Sequence, residues 1–244
     1  MNVTGLASQV ATLDHVMNHW PGSVWIVIAA GGVGRRAGGD SGPNLPKQYR
    51  MLRGRTVLAA SVAAMRAARA HVVVAADNPE VARKALSGLE NADSIRVVRG
   101  GDDRRASVAA GLVYVPDTAD VIGTHDAARP LASPAMVAAG VRVLGAGADA
   151  AVPVVPVTDS IREVGDDCMS VAVDRSRMVA VQTPQLFRAD VLRDAHLRHE
   201  GPATDDASMV EACGGRVVTF AGDVNNLKIT HPQDFVLAEA ILDV

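Results

Sequence analysis

The feature that most constrains this chain lies between Val24 and Tyr49, where an apolar run breaks into a glycine-rich, cationic loop. Val24-Trp25-Ile26-Val27-Ile28 is short and uninterrupted, the pattern of a strand buried on both faces of a parallel sheet. Ala29-Ala30-Gly31-Gly32-Val33-Gly34-Arg35-Arg36 follows, and beyond a turn-rich segment comes Pro46-Lys47-Gln48-Tyr49. Residues without side chains at the carboxyl end of a strand let backbone N–H groups approach an anion. The basic residues beyond them supply positive charge where phosphate oxygens would sit. The expectation is a nucleotide triphosphate site, although a plain strand-to-loop turn with solvated arginines would carry the same glycines.

Two better-known phosphate loops fit less well. Gly32-Val33-Gly34-Arg35-Arg36-Ala37 formally matches the dinucleotide fingerprint, which needs a helix opening inside the motif and an acidic residue closing the next strand. Gly38, Gly39, Gly42 and Pro43 stand where that helix should run, and Arg53 and Arg55 stand in place of a nearby acid. No Gly-Lys-Ser/Thr follows the glycines, so a Walker-type loop is absent.

Strand and helix patterns then alternate. Val57–Met65 reads as an alanine-rich helix, His71–Ala76 as a strand, and Asp77-Asn78-Pro79 as a turn that starts a helix. Strand Ile95–Val98 leads to Arg99-Gly100-Gly101-Asp102-Asp103-Arg104-Arg105 and a helix from about Ala106 to Tyr114. Strand Asp120–Thr124 runs into His125-Asp126-Ala127-Ala128-Arg129-Pro130; a helix over 134–144 and a strand over 150–157 follow. Such alternation predicts an α/β fold, a Rossmann-like and mainly parallel sheet flanked by helices, with ligands at the strands' carboxyl ends. Between Thr158 and Thr183 the rhythm changes. Ser160–Val164 and Met178–Gln182 are short alternating runs that read as the two sides of a hairpin-like arm. Residues 188–198 and 205–212 read as helices, 216–220 as a strand and 232–242 as a closing helix. Residues 23–244 thus form one expected domain, with residues 1–22 an N-terminal extension carrying a short helix over Leu6–Met17.

Composition narrows the partners. At 244 residues and 48% hydrophobic, the chain can bury one substantial core. Aromatics at 3% leave few stacking platforms, and a net charge of −3 gives no global attraction to nucleic acid or anionic membrane. An anionic ligand must therefore be held by locally grouped cations. Residues 1–22 lack a signal-peptide pattern, no stretch is apolar enough to span a bilayer, and Cys168 and Cys213 lack metal spacing. A cytoplasmic protein with idle thiols is expected. His196 and His199 share a helix face without further ligands and are expected to face solvent.

Two further strand-end loops hold small residues beside charged ones. Gly100 and Gly101 expose backbone beside Asp102, and Ser107 lies just inside the next helix, a frame that could read a base through amides and one hydroxyl. Taken alone it could equally be a capping turn. Asp126 and Arg129, three apart, could place a divalent cation and meet a phosphate, or pair with each other to close the turn.

These loops occur in order with Asp174-Arg175, Gln182-Thr183-Pro184-Gln185, Thr204-Asp205-Asp206-Ala207-Ser208 and Asn226-Leu227-Lys228-Ile229-Thr230. The ordered set resembles the 2-C-methyl-D-erythritol 4-phosphate cytidylyltransferase family of the non-mevalonate isoprenoid route, from about Trp25 onward. The resemblance implies a nucleotidyltransferase fold and attack of a methylerythritol phosphate oxygen on the α-phosphate of CTP, with pyrophosphate leaving. By the family pattern, Arg36, Lys47 and Lys228 would neutralise charge on the triphosphate. Ala30, Gly31 and Gly32 would lie under the nucleotide, and Gly101, Asp102 and Ser107 would read cytosine and ribose. Asp126, Ala127 and Arg129 would border both substrates, with Mg²⁺ bridging phosphate oxygens and held mainly by them. Ser160, Arg175, Thr183 and Thr204 would hold the sugar phosphate. The arm would pair with a second copy's arm, implying a homodimer. Gly31 stands where the family usually has alanine, Ser160 where it often has threonine, and the segment from Arg36 to Lys47 is longer and richer in glycine. Two alternatives share the nucleotide loops: a ribitol-5-phosphate cytidylyltransferase and an inactive nucleotide-binding regulator. Outside the resemblance, Lys228 could be a surface lysine, Arg175 one charge of a hairpin, Thr183 a turn residue and Thr204 a helix N-cap.

Overall fold

The computed structural model describes residues 22–31, 45–165, 170–201 and 203–243. The expected helix over Leu6–Met17, the glycines and arginines from Gly32 to Arg36, and Cys168 lie outside them. The apolar run forms β1 (Val24–Ala30), with Ile26, Val27 and Ile28 fully buried, as a strand covered on both faces should be. Next come the short β2 (Met51–Leu52) and β3 (Arg55–Thr56), α1 (Val57–Ala67), β4 (His71–Ala76), α2 (Pro79–Leu86), β5 (Arg96–Arg99) and α3 (Arg104–Leu112). Then follow β6 (Val121–Asp126), α4 (Pro134–Gly145), β7 (Ala150–Pro156), β8 (Ile161–Val164), β9 (Ser170–Val173), β10 (Val179–Val181) and β11 (Gln185–Arg188). The chain closes with α5 (Ala189–Arg198), α6 (Asp206–Ala212), β12 (Val217–Ala221) and α7 (Pro232–Leu242).

The central sheet is mainly parallel and flanked by helices. β1 pairs parallel with β4 on one side and β6 on the other, and β4 pairs parallel with β5. The registers set Ala30 beside Ala76, Ala76 beside Arg99, and Ala29 beside Asp126, so four strands end along one edge. The chain leaves β1 for β4 and β5, then returns to the opposite side of β1 as β6. That reversal is the switch point where open α/β sheets leave a crevice for ligand. Helix starts are fixed by short side chains. Thr56 caps α1 by accepting from Ala59 N (3.1 Å), Asn78 caps α2, and Asp103 caps α3 by accepting from Ala106 N (2.7 Å). The Asp103 cap starts α3 at Arg104, two residues before the expected Ala106. It is Asp205, not Thr204, that caps α6, accepting from Ser208 N at 2.9 Å.

The sheet departs from the expected pattern in its second half. Residues 185–188, of which only Arg188 belongs to the expected helix over 188–198, form β11, which inserts antiparallel between β6 and β7. The arm's hairpin is β8 with β9, pairing Ile161 with Val173 and Val164 with Ser170. The run expected to be its second side, Met178–Gln182, instead supplies β10, which pairs antiparallel with β7 from Val179 opposite Pro156 to Val181 opposite Val154. Alternation alone does not choose between these partners, because each run offers a similar two-residue period.

Candidate functional site

The carboxyl ends of β1, β4 and β6 and the loop after β5 enclose a cavity of about 430 Å³. Its lining includes Ala30, Gly31, Lys47, Gly101, Asp102, Ser107, Asp126, Ala127 and Lys228. Nine of the residues singled out in the sequence thus meet in one place, though they come from five separate stretches of chain.

Gly101 is where backbone must come close. A Cβ on Gly101 would stand 2.3 Å from the Ala106 Cβ on α3, which cannot move aside, so the wall there is bare backbone. One on Gly31 would meet only the Ser107 hydroxyl, at 2.7 Å, which can turn away, so alanine fits there as it does in the family. Ser107, buried, donates its hydroxyl to Gly101 O at 3.3 Å and ties the loop to α3. Opposite, Lys47 opens a single 3₁₀ turn (Lys47–Tyr49), and the buried Gln48 holds that turn to β1 by donating to Ala30 O at 3.0 Å.

The floor is charged. Asp126, the last residue of β6, receives Lys228 Nζ on Oδ2 (2.7 Å) and Arg104 Nε on Oδ1 (3.1 Å), with Arg129 Nε 3.9 Å away. Burial alone would raise its pKa, but these cations outweigh burial and hold the carboxyl well below the usual carboxylate range. Asp126 is therefore ionised at any physiological pH. Burial pulls Arg104 down, yet Asp206 and Asp126 reverse this and keep its guanidinium charged.

Beneath Asp126 lies a neutral hydrogen-bonded chain. Asp126 N donates to Thr183 Oγ1 (3.1 Å), which lies 3.0 Å from His125 Nδ1, and His125 Nε2 lies 3.2 Å from Arg129 O. The carbonyl can only accept, so Nε2 carries the ring proton and Nδ1 accepts from the Thr183 hydroxyl. Burial pushes the His125 pKa down to about 4, against the pull of Asp126, so the imidazole is neutral near pH 7. Arg129 donates to Asn226 O (2.7 Å) and Val181 O (3.2 Å), and Asn226 donates to Thr183 O (2.9 Å). Thr183 and Arg129 thus lie under the floor: the Thr183 hydroxyl is engaged by Asp126 N and His125, and Arg129 gives Nη1 and Nη2 to carbonyls while its buried Nε has no hydrogen-bond partner.

The remaining candidates lie elsewhere. Ser160 and Arg175 are exposed on the arm, where Arg175 donates to Thr158 O, and Thr204 is exposed ahead of α6. Arg36 and Gly32 fall outside the described residues. Several contributors carried little sequence signal: Arg104, Gln48, Asp77 and the Asp206–His196 pair behind Arg104. Arg104 could have been found from its place at the first turn after the Gly-Gly-Asp-Asp loop. His196, expected to face solvent, has a side chain only 6% exposed and bonds Asp206 instead.

The described lining holds three cations, Lys47, Arg104 and Lys228, against four acids, Asp77, Asp102, Asp103 and Asp126. A polyanionic ligand here needs more positive charge than these residues carry, supplied by a further basic side chain or by a cation brought with the ligand.

Comparison with known proteins bears on the ligand. A family model described as 2-C-methyl-D-erythritol 4-phosphate cytidylyltransferase matches residues 24–244. A protein of that name from Rhodococcus jostii is 40% identical over 229 residues, covering 91% of this chain and 96% of the relative. A bifunctional enzyme, IspD/IspF, from Bradyrhizobium is 41% identical over 226 residues. This chain spans about half the length of the bifunctional relatives it matches, 56% in that case. The crystal structure of the Thermus thermophilus cytidylyltransferase superposes with a TM-score of 0.71 at 35% identity, covering 91% of this chain and 100% of the other.

Proposed function

Because the chain belongs to the 2-C-methyl-D-erythritol 4-phosphate cytidylyltransferase family, we propose that it transfers CMP from CTP to 2-C-methyl-D-erythritol 4-phosphate, releasing pyrophosphate. The observation that carries this reading is the shared cavity: bare backbone at Gly31 and Gly101 faces Lys47 and Lys228 around an ionised Asp126. Backbone amides and the Ser107 hydroxyl suit a pyrimidine and its ribose, which offer hydrogen-bonding edges but no charge. Lys47 and Lys228 suit the triphosphate, and by the family pattern Arg36 would add a further positive charge.

Phosphoryl-type transfer asks for placement and charge stabilisation rather than a covalent nucleophile. In this reading Lys228 leaves Asp126 for a phosphate oxygen as CTP enters, and Lys47 meets charge that builds on the leaving pyrophosphate. His125 stays neutral and keeps Thr183 and the Asp126 backbone in place. The excess of acids over cations among the described lining residues, Asp126 included, suits Mg²⁺ carried on the phosphates. Asp126 would help hold that ion, which supplies charge neutralisation across the phosphate oxygens.

Residues 23–244 act in this reading as one catalytic unit, in the cytoplasm, working as a homodimer. Among the described residues no helix is long and apolar enough to cross a membrane. Val164, Val171, Met178, Val179 and Val181 are all exposed apolar residues on the arm and its base, which supports burial against a second copy. By the family pattern Ser160, Arg175 and Thr204 would hold the sugar phosphate, Arg175 reaching the partner's site across the arm, while Thr183 and Arg129 act from beneath the floor through Asp126. Pyrophosphate release with CTP, Mg²⁺ and each alcohol in turn tests the assignment. Turnover of methylerythritol phosphate is expected; turnover of ribitol 5-phosphate alone would overturn the substrate, and no turnover of either would overturn the activity.

A further inference from the structure

The ion pairs that begin in the cavity continue behind it. Arg104 turns Nη1 to Asp206 Oδ2 (2.6 Å), and the other oxygen of Asp206 meets His196 Nε2 (3.0 Å). Asp206 is 1% exposed, and neither it nor His196 lines the cavity. His196 sits in the last turn of α5 and Asp206 opens α6, so the link joins two helices at the rear of the site. His196 Nδ1 has no hydrogen-bond partner, which leaves Nε2 as the ring's only polar engagement.

We propose that His196 is a positioning residue for the transfer step: it fixes Asp206, Asp206 pins Arg104 from behind, and Arg104 keeps Asp126 neutralised while Lys228 moves to the substrate. The inference rests on the activity proposed above. Its logic follows from exposure. The Lys228 side chain is 45% exposed and is the partner free to leave Asp126 for an incoming phosphate. Arg104, 27% exposed, would otherwise be drawn to the same phosphates. A second carboxylate on Nη1, in a desolvated setting, holds the guanidinium so that Nε stays on Asp126. Asp206 does this well only if its second oxygen is also satisfied, because an unmet acceptor on a buried carboxylate is costly. Donation from His196 satisfies it, beside the Thr124 side chain that also hydrogen-bonds this carboxylate.

The test uses His196→Phe, which keeps the ring's bulk and removes the donor, and His196→Gln, whose amide can restore it. With the full-length protein, His196→Phe should lower kcat/KM for CTP roughly tenfold, while His196→Gln stays within about twofold of wild type. Asp206→Asn should reproduce the loss, and His196→Phe added to it should cost nothing more, as expected for residues acting in series. A second readout needs no turnover: solvent exchange of the Arg104 Nε–H in nuclear magnetic resonance spectra of the ligand-free protein. It should quicken in His196→Phe and Asp206→Asn and stay slow in His196→Gln. Additive losses in the double variant, equal impairment of His196→Gln and His196→Phe, or unchanged Arg104 exchange would each overturn the proposal. If His196→Phe does not fold, the contrast between His196→Gln and Asp206→Asn decides on the same two readouts. A wild-type protein that releases no pyrophosphate would count against the activity alone, leaving Arg104 exchange to decide the positioning.

Discussion

Replacing His125 with glutamine isolates one buried group whose charge the fold refuses. His125 is fully buried between Thr183 and Arg129 O, and its pKa is pushed down to about 4 from an ordinary value of 6.5. A folded-state pKa below the unfolded value means that, between those two pH values, the unfolded chain binds the extra proton. Stability from this group is therefore fully present above pH 6.5 and is lost as the pH falls towards 4. Between pH 8 and pH 5 the linkage amounts to about 2 kcal/mol, and to about 3 kcal/mol once pH 4 is passed. The assay is urea unfolding of wild type and His125→Gln at pH 8 and pH 5, with the difference between pH values compared across the two proteins. Other titrating groups cancel in that comparison, and Asp126 stays ionised throughout because its pKa lies far lower. Wild type should lose about 2 kcal/mol more than the variant. Equal losses would refute the claim that His125 is held neutral, and with it the hydrogen-bond directions assigned beneath Asp126.

Two further outcomes follow from the cavity. Lys47→Ala should lower kcat by about two to three orders of magnitude while leaving the melting temperature within about 2 °C, because the contact proposed for Lys47 is with charge developing in the transition state and its turn is partly exposed; near-normal turnover would remove Lys47 from the proposed mechanism. Gly101→Ala brings a methyl within 2.3 Å of the Ala106 Cβ, which sits on a helix and cannot rotate away. The substitution should destabilise by about 1–3 kcal/mol in urea unfolding and raise KM for CTP several-fold; a silent variant would mean that the loop has room the geometry denies.

Much of the sheet was legible because its cues are local. Continuous apolar runs at 24–28 and 71–76 read as doubly covered strands, and Asn78-Pro79 marked a helix start that the cap geometry bears out. β11 escaped notice because Gln185-Leu186-Phe187-Arg188 passes straight into α5 without a turn residue between them. The pairing of the arm is not local for a related reason: register depends on which face a neighbour buries, and Val179–Val181 meets that neighbour in β7 rather than in β8. His196 looked like a surface residue on helical spacing, and only the return of the chain at Asp206 buried it.

The amino-acid order alone determined where backbone could lie bare and where strands would stop, since steric freedom at Gly31 and Gly101 and the hydropathy of the preceding runs belong to short spans of chain. Only the tertiary structure decided which charges share a field. Lys228, Asp126, Arg104, Asp206 and His196 touch in sequence nowhere, yet they form one line of ion pairs and hydrogen bonds. The physical reason is that electrostatic coupling depends on distance and desolvation, and both are settled only when β6, α3, α5 and α6 close on one another.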